Sequence, residues 1–474
     1  MYFGAGLCIN KDIVTTKPFL SLPELMGNKT EHIVIIGNGI SGTTAARHIR
    51  KRNSSCIITI ISSETKYFFS RTALMYVYMG HMKFEHTKPY EDSFWPKNRI
   101  DLVYGHVNQI DFGKKILKID NNEEIMYDKL ILALGSVPNK FGWPGQDLKG
   151  VQGLYSCQDL MLMETNTDGI EHAVVVGGGL IGIEMAEMLS SRGIKTTMLV
   201  REARFWGNIL PEQESKLIER HIISHGIDLK LNHSLKEIKS NGANRVGSIL
   251  TESGEVINCE FVGLTIGVRP NVDFLRGSGL EVNKGVVVNK FLETNQPNVY
   301  ALGDCAEFKE APSGRKNIEQ VWYTGRMMGE TLAKTITTSK TAYQPGNWFN
   351  SAKFFDIEYQ TYGRVGNKLH EGESDFYWEN IDGNKSLRIV YNSDSEAVIG
   401  INVFGIRLRH EVIDRWLTEK KKVKEVVGEW NNINFDPEFF KRYEKEIAHE
   451  FAEHFGISFN IKPKNWKSIL NLVS

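Results

Sequence analysis

A chain of 474 residues is long enough for about three domains, and 41% hydrophobic with 24% charged residues is the composition of an ordinary globular protein. Lys+Arg and Asp+Glu both number 57, so no net charge directs the chain to nucleic acid or to an anionic membrane as its main partner. No apolar run approaches the ~18 residues that a membrane span requires.

The first 30 residues contain Asp12 and Glu24, lack arginine and have no continuous apolar stretch. They read as an N-terminal arm and not as a secretory signal or transit peptide. Five cysteines (Cys8, Cys56, Cys157, Cys259 and Cys305) are scattered, with no C-x-x-C or C-x-x-x-x-C spacing. That usage fits a reducing, cytoplasmic setting, and no zinc or iron–sulfur spacing is present.

From His32 a short apolar strand ends in Gly37-Asn38-Gly39-Ile40-Ser41-Gly42 and opens a helix over Thr43 to Arg50. This is a G-x-G-x-x-G in the strand–turn–helix context that gives the motif meaning. The first glycine turns the chain, the second lets a pyrophosphate approach the backbone, and the third lets helix and strand pack closely. The next strand, Cys56 to Ile61, leads to Glu64, 22 residues after Gly42, a spacing that fits a carboxylate bonded to a ribose. Tyr127 to Gly135 is an almost continuous apolar run, as in a strand buried on both faces of a parallel sheet. Gly135-Ser136-Val137-Pro138 breaks it.

The plan then repeats. His172 to Val176 runs into Gly177-Gly178-Gly179-Leu180-Ile181-Gly182 and a helix over Ile183 to Ser191. Thr196 to Val200 ends at Arg201-Glu202-Ala203-Arg204. Arg201 and Arg204 suit a 2′-phosphate, while Glu202, 20 residues after Gly182, equally suits a free 2′-hydroxyl, so NADPH and NADH both stay open. An apolar strand over Ile257 to Ile266 precedes Gly267-Val268-Arg269-Pro270-Asn271. Another, Asn298 to Leu302, ends in Gly303-Asp304 and is followed by a helix from Ile318 to Ile336.

Beyond about residue 340 the pattern becomes polar–apolar alternation, with short strands at Phe354–Tyr362, Asp375–Trp378, Ser386–Tyr391 and Ala397–Val403. Helical patterns follow at His410–Leu417 and Pro437–Phe455. This predicts an antiparallel sheet with helices on one side, an α+β unit. Several features carry two readings. Cys305 is either a thiolate at a helix start or a small packing residue. Lys420-Lys421-Lys422-Val423-Lys424 is either a docking patch for an acidic carrier or a solvated helix face. Trp322, Trp348, Phe354 and Phe355 are either a flavin wall or plain core.

Together these motifs resemble the pyridine nucleotide–disulfide oxidoreductase superfamily, over residues from about 31 to 335. The resemblance rests on both glycine turns, with Glu184 after the second, on Tyr127-Asp128-x-Leu130-Ile131-x-Ala133-x-Gly135-x-x-Pro138, on Gly267 to Asn271, and on Tyr300-Ala301-x-Gly303-Asp304. It implies an α/β architecture of two Rossmann-like dinucleotide-binding units plus the C-terminal α+β domain. An FAD domain at 31–147 and 276–338 would be interrupted by an NAD(P)H domain at 148–275, with an arm at 1–30 and an interface domain at 339–474.

For FAD the resemblance implies Gly37, Asn38, Gly39, Ile40, Ser41 and Gly42 at the pyrophosphate, Glu64 at the ribose, and Val107 at adenine through its backbone. It adds Arg71, Ala133, Gly135, Gly303 and Asp304, with Gln320 and Trp322 at a helix start facing the flavin. For NAD(P)H it implies Gly177, Gly179, Leu180, Ile181, Gly182, Arg201, Glu202, Arg204 and Gly267. Glu184 would sit beside both reacting rings as the catalytic carboxyl, with no metal. Tyr67 to Met75 holds no cysteine, and its Tyr67-x-x-Ser70-Arg71-x-x-Leu74 pattern is similar to ferredoxin and rubredoxin reductases and to the flavin module of nitrite reductases. Many of these carry a lysine shortly after that leucine, where this chain has Met75 or Tyr76. The implied activity is hydride transfer from NADH or NADPH to FAD, with electrons passed to a small redox protein and no redox disulfide. An apoptosis-inducing-factor-like role, an NAD(P)H oxidase or a quinone reductase are the alternatives, and a homodimer through the C-terminal domain is a further expectation.

Overall fold

The computed structural model describes residues 30–120, 123–436 and 440–458. The first glycine turn belongs to a five-stranded parallel sheet in the order Val299–Ala301, Lys129–Leu132, His32–Ile36, Ile57–Ser62, Ile100–Tyr104. Its central strands are apolar because helices and the antiparallel strands Val107–Asp111 and Ile116–Ile119 share one buried core with them, leaving no solvated side to favour alternation. The Ile40–Arg52 helix follows the turn and packs along the Trp322–Thr337 helix. One edge strand, Val299–Ala301, arrives only after the second unit has been traversed.

The second glycine turn belongs to another parallel five-stranded sheet, ordered Asp228–Leu231, Lys195–Val200, His172–Val176, Phe261–Leu264, Val151–Gln152. The expected strand over Ile257–Ile266 is two pieces. Val256–Asn258 pairs in a small antiparallel sheet, and Phe261–Leu264 enters the parallel one. Polar Asn258 and Glu260 interrupt the apolar run where the chain changes sheets.

The third unit is an antiparallel sheet in the order Phe349–Phe354, Ile357–Gly363, Val398–Phe404, Ser386–Asn392, Glu373–Glu379. The expected strand over Phe354–Tyr362 is instead part of a hairpin. Phe354 pairs with Ile357, and Phe355 adopts φ +55° in the turn, a conformation disfavoured for a bulky residue. Buried packing of its ring opposes that cost, since Phe355 is only 5% exposed. Helices His410–Thr418 and Glu444–Phe455 cover the sheet through Trp378, Trp416 and Phe451. The expectation of a helix from Pro437 is corrected to a start at Glu444, with 437–439 outside the described residues. Lys421 pairs with Glu429 at 2.6 Å and Lys424 with Glu396 at 2.8 Å, so local carboxylates neutralise much of the lysine run.

A continuous apolar core joins Leu74 and Met75 to the second unit's helices and to Phe354, Tyr359 and Phe404 of the third sheet. Across the same boundary the Arg388 guanidinium donates to both oxygens of Glu214 at 2.6 and 2.8 Å, and also to Asp375 and Gln213. The Arg388 and Glu214 side chains are 5% and 0% exposed, so neither partner can recover hydration if the other is removed. Arg388→Met is expected to lower stability in urea unfolding by about 3–5 kcal/mol, and adding Glu214→Met to recover much of that loss. A loss below about 1 kcal/mol for the single change would show that Glu214 is not stranded.

Candidate functional site

Both glycine turns are walled by backbone. Gly37 has φ +109°, and a Cβ there would stand 2.1 Å from the Ala133 carbonyl oxygen. In the second turn Gly177 has φ +124°, with the Thr265 carbonyl oxygen 2.5 Å from the same hypothetical atom. Only glycine fits such contacts at such a φ. The helices that follow, Ile40–Arg52 and Leu180–Ser191, have Gly39 and Gly179 at their N-caps, with no side-chain cap and no acidic residue in the first turn. Their leading amides are therefore available to an anion, with the helix dipole favouring it.

A cleft of about 870 Å³ opens beside the first turn. Gly37, Asn38, Gly39, Ile40, Ser41, Glu64, Arg71, Val107, Ala133, Gly135, Asp304, Gln320 and Trp322 all line it. Leu180, Ile181 and Glu184 from the second unit's helix line the same space, so the two units meet there. Gly42 and Gly303 pack behind the wall. A Cβ on Gly42 would meet the Gly37 carbonyl at 2.1 Å, and one on Gly303 the Ser41 hydroxyl at 2.2 Å. Gly177, Gly179, Gly182, Gly267, Arg201, Glu202 and Arg204 lie outside the lining. Arg201 is mostly exposed and pairs with Glu202 at 2.8 Å, whereas the buried Nη1 of Arg204 has no hydrogen-bond partner among the described residues.

One wall of the cleft is a hydrogen-bonded chain. Arg71 donates to both oxygens of Glu64 at 2.8 and 2.6 Å and to the Tyr155 carbonyl at 2.5 Å, and its guanidinium lies 4.3 Å from the centre of the Tyr155 ring. The Tyr155 and Ser136 hydroxyls each donate to Asp304 Oδ2 at 3.1 Å, and Gln320 donates to Ser136 at 2.6 Å. Burial pushes the Asp304 carboxyl above its ordinary value, against the two hydroxyls and Arg71, and burial likewise raises the Tyr155 phenol. Glu64 also accepts the Cys157 amide at 2.9 Å, so its carboxylate is shared between the cleft and two internal donors. Gln320 precedes the helix, which begins at Trp322 and not at Ile318. Tyr155 carried no signal in the sequence beyond its place before the Ser156–Asp159 capping box.

Among the described residues no cysteine lines the cleft. Cys305 lies in a short turn of 3₁₀ helix, fully buried, and burial pushes its thiol up to about 12. The thiolate reading is thereby corrected, because an apolar enclosure outweighs the few backbone donors nearby. Phe354 and Phe355 are core, and Trp348 lies against the Arg315 guanidinium at 4.9 Å, which leaves Trp322 as the one of the four aromatics at the cleft.

Glu184 is half-buried and lines the cleft. Burial is the largest cause of its raised pKa, pushed up to about 7, and Glu187 one turn away adds to the rise. Lys353 opposes it. This residue sits on the Phe349–Phe354 strand of the third unit, donates to Glu187 at 2.7 Å, and lies 5.3 Å from the centre of the Tyr76 ring. A cation therefore serves the Glu184–Glu187 pair from a residue 166 positions distant from Glu187. Nothing in the local sequence marks Lys353, since only the register of the third sheet brings it here.

Over residues 31–329 the chain matches the family described as pyridine nucleotide-disulphide oxidoreductase. It is 30% identical over 329 residues to a rubredoxin-NAD(+) reductase of Pseudomonas putida, covering 69% of this chain and 85% of that one. To an assimilatory nitrate reductase electron transfer subunit of Bacillus subtilis (strain 168) it is 29% identical over 281 residues, covering 59% of this chain. That match spans only 36% of the Bacillus protein, about a third of its length. Among solved structures the fold is similar to an NAD-dependent persulfide reductase from A. fulgidus, with a TM-score of 0.76, 21% identity and coverage of 90% and 84% of the two chains. It is similar also to the covalent putidaredoxin reductase–putidaredoxin complex, with a TM-score of 0.72, 20% identity and coverage of 82% and 93%. The chain belongs to the pyridine nucleotide-disulphide oxidoreductase family and is an NAD(P)H-dependent flavoprotein oxidoreductase using FAD.

Proposed function

We propose that this protein takes reducing equivalents from NADH or NADPH and passes electrons, without a redox disulfide, to an external one-electron carrier of the rubredoxin or ferredoxin kind. FAD, when bound, supplies the conversion of a hydride into electrons that leave singly. The observation that carries the reading is Glu184, which opens with Leu180 and Ile181 of the second nucleotide unit onto a cleft walled by the first, with no thiol among the described lining residues. The relatives support the acceptor class: the Pseudomonas protein is named for rubredoxin, and the solved complex pairs a reductase with putidaredoxin.

In this reading the first glycine turn and its uncapped helix hold the FAD pyrophosphate. Glu64, Arg71, Val107, Ala133, Gly135, Asp304, Gln320 and Trp322 position the rest of that cofactor. The second turn, with Gly267 and the Arg201–Arg204 loop, holds the nicotinamide nucleotide. Apposition of the two sites supplies most of the rate advantage by proximity. Glu184, poised near neutrality, gives or takes a proton beside the reacting groups.

The test is stopped-flow reduction by each nicotinamide, then reoxidation against rubredoxin, ferredoxin, quinone and oxygen. Yellow protein bleached by NADH or NADPH and reoxidised fastest by a protein carrier is the expected result. Slow reoxidation by every acceptor, with NADH-dependent dimerisation on a sizing column, would transfer support to redox-controlled assembly.

The carboxyl cluster has a pH signature. Glu184→Gln should slow flavin reduction by roughly 10-fold or more. The wild-type rate should break near pH 7, where Glu184 changes charge. Lys353→Met removes a positive charge and should move that break up by about one unit or more, and Glu187→Gln should move it down. Stability follows the same sign. The folded state keeps a proton that the unfolded chain has lost, so stability falls as pH rises from 4.5 to about 7. Glu184→Gln should flatten that slope, and an unchanged slope would remove Glu184 from the titration.

A further inference from the structure

A second cluster of chemistry-bearing side chains lies apart from the cleft, at the boundary between the second and third units. His221, in the last turn of the Glu212–Ser224 helix, and His225, which caps that helix, are one turn apart and project to the same side. Facing them is Asp356, from the two-residue turn between Phe349–Phe354 and Ile357–Gly363. Asp356 Oδ1 is 2.6 Å from His221 Nε2 and 3.5 Å from His225 Nε2. The three ligand atoms all lie within 4.8 Å of one another.

We propose that His221, His225 and Asp356 form a mononuclear site for a divalent transition metal of the zinc class, clipping the second unit to the third. Two imidazoles and a carboxylate are a donor set that Zn²⁺, Co²⁺ and Ni²⁺ accept, with a fourth position left for water. Bonds of about 2.0–2.2 Å in tetrahedral geometry put neighbouring ligand atoms about 3.3 Å apart. The His225–Asp356 separation of 3.5 Å is already close to that length, and the His221–Asp356 contact of 2.6 Å needs to open by about 0.7 Å to reach it. His225 Nδ1 lies 2.9 Å from the His221 carbonyl, a bond that places the proton on Nδ1 and leaves Nε2 with its lone pair toward the site. His221 is largely enclosed, at 12% side-chain exposure, whereas Asp356 is 75% exposed, so an ion has a route in from solvent.

The surroundings hold this geometry in place. Phe355, buried at φ +55°, stacks on His225 with ring centres 4.2 Å apart and planes inclined by 21°. That contact fixes one ligand ring and aims the turn that carries Asp356. The turn continues directly from the strand bearing Lys353, so an ion bound here would also restrain the residue that serves Glu187.

The experiment uses the flavin-loaded full chain after chelation and dialysis, titrated with Co²⁺ and followed at 550–650 nm, beyond the absorption of oxidised flavin, with Zn²⁺ as competitor. One Co²⁺ per chain with a tetrahedral band, displaced by Zn²⁺, is the expected result. Loss of an outer-shell partner typically costs ten- to a hundred-fold in metal affinity, so loss of a ligand should cost at least ~100-fold in His225→Ala and in Asp356→Asn. The exposed aspartate tolerates an isosteric change, which keeps the test valid if the histidine variant folds poorly. Zn²⁺ should raise the melting temperature of the wild type and of neither variant. Absence of a tetrahedral band, or equal affinity in wild type and Asp356→Asn, would overturn the proposal and leave a metal-free hydrogen-bonded clasp.

Discussion

Two carboxyl groups one turn apart on a buried helix are an electrostatic liability, and much of the arrangement of this protein answers it. Glu187 is buried and Glu184 half-buried at the cleft, so water solvates the pair poorly, and like charges this close cannot both ionise cheaply. Lys353 compensates one and leaves the other balanced near neutrality. The compensation exists only if the third sheet is docked, because among the described residues it is Lys353 of that sheet that opposes the rise at Glu184. Chemistry at the cleft and packing at a distant boundary are therefore one problem for this sequence. The buried Arg388–Glu214 pair fastens the same boundary with charge a second time.

The cleft follows a different logic, in which backbone does most of the work. The glycines of both turns offer no side chain to a ligand, although Asn38, Ile40, Ser41, Leu180 and Ile181 between them line the cleft. Each turn offers a sharply bent main chain, pressed against a neighbouring carbonyl, at the mouth of an uncapped helix. Side chains enter at the periphery, along the chain from Glu64 through Arg71, Tyr155, Asp304 and Ser136 to Gln320. Every member of that chain has a partner, and this lets polar groups line an enclosed space without the cost of stranded donors and acceptors.

Much of this was legible beforehand, for reasons particular residues make plain. The turns at Gly37 and Gly177 announce themselves because only glycine fits, so backbone necessity is written directly into residue identity. Buried parallel strands such as Lys129–Leu132 were visible as almost continuous apolar runs. The hairpin at Phe355–Asp356 was not, since a phenylalanine in a left-handed conformation contradicts every local turn preference and is held there by tertiary packing. Lys353 was equally hidden, as was Tyr155. Both act through contacts with residues tens to hundreds of positions away, and neither residue type is rare enough to stand out.

The strand order of the first sheet bears on how the molecule is made. Lys129–Leu132 acquires its second neighbour only when Val299–Ala301 leaves the ribosome, some 170 residues later. Until then this short, mostly apolar strand has a bare hydrogen-bonding edge, the kind of surface that recruits strands from other chains. The intervening segment has every strand of its own parallel sheet and can close first. Nascent chains thus pass through a stage with a finished second half and an open first half, in which crowding and chaperone supply would govern yield.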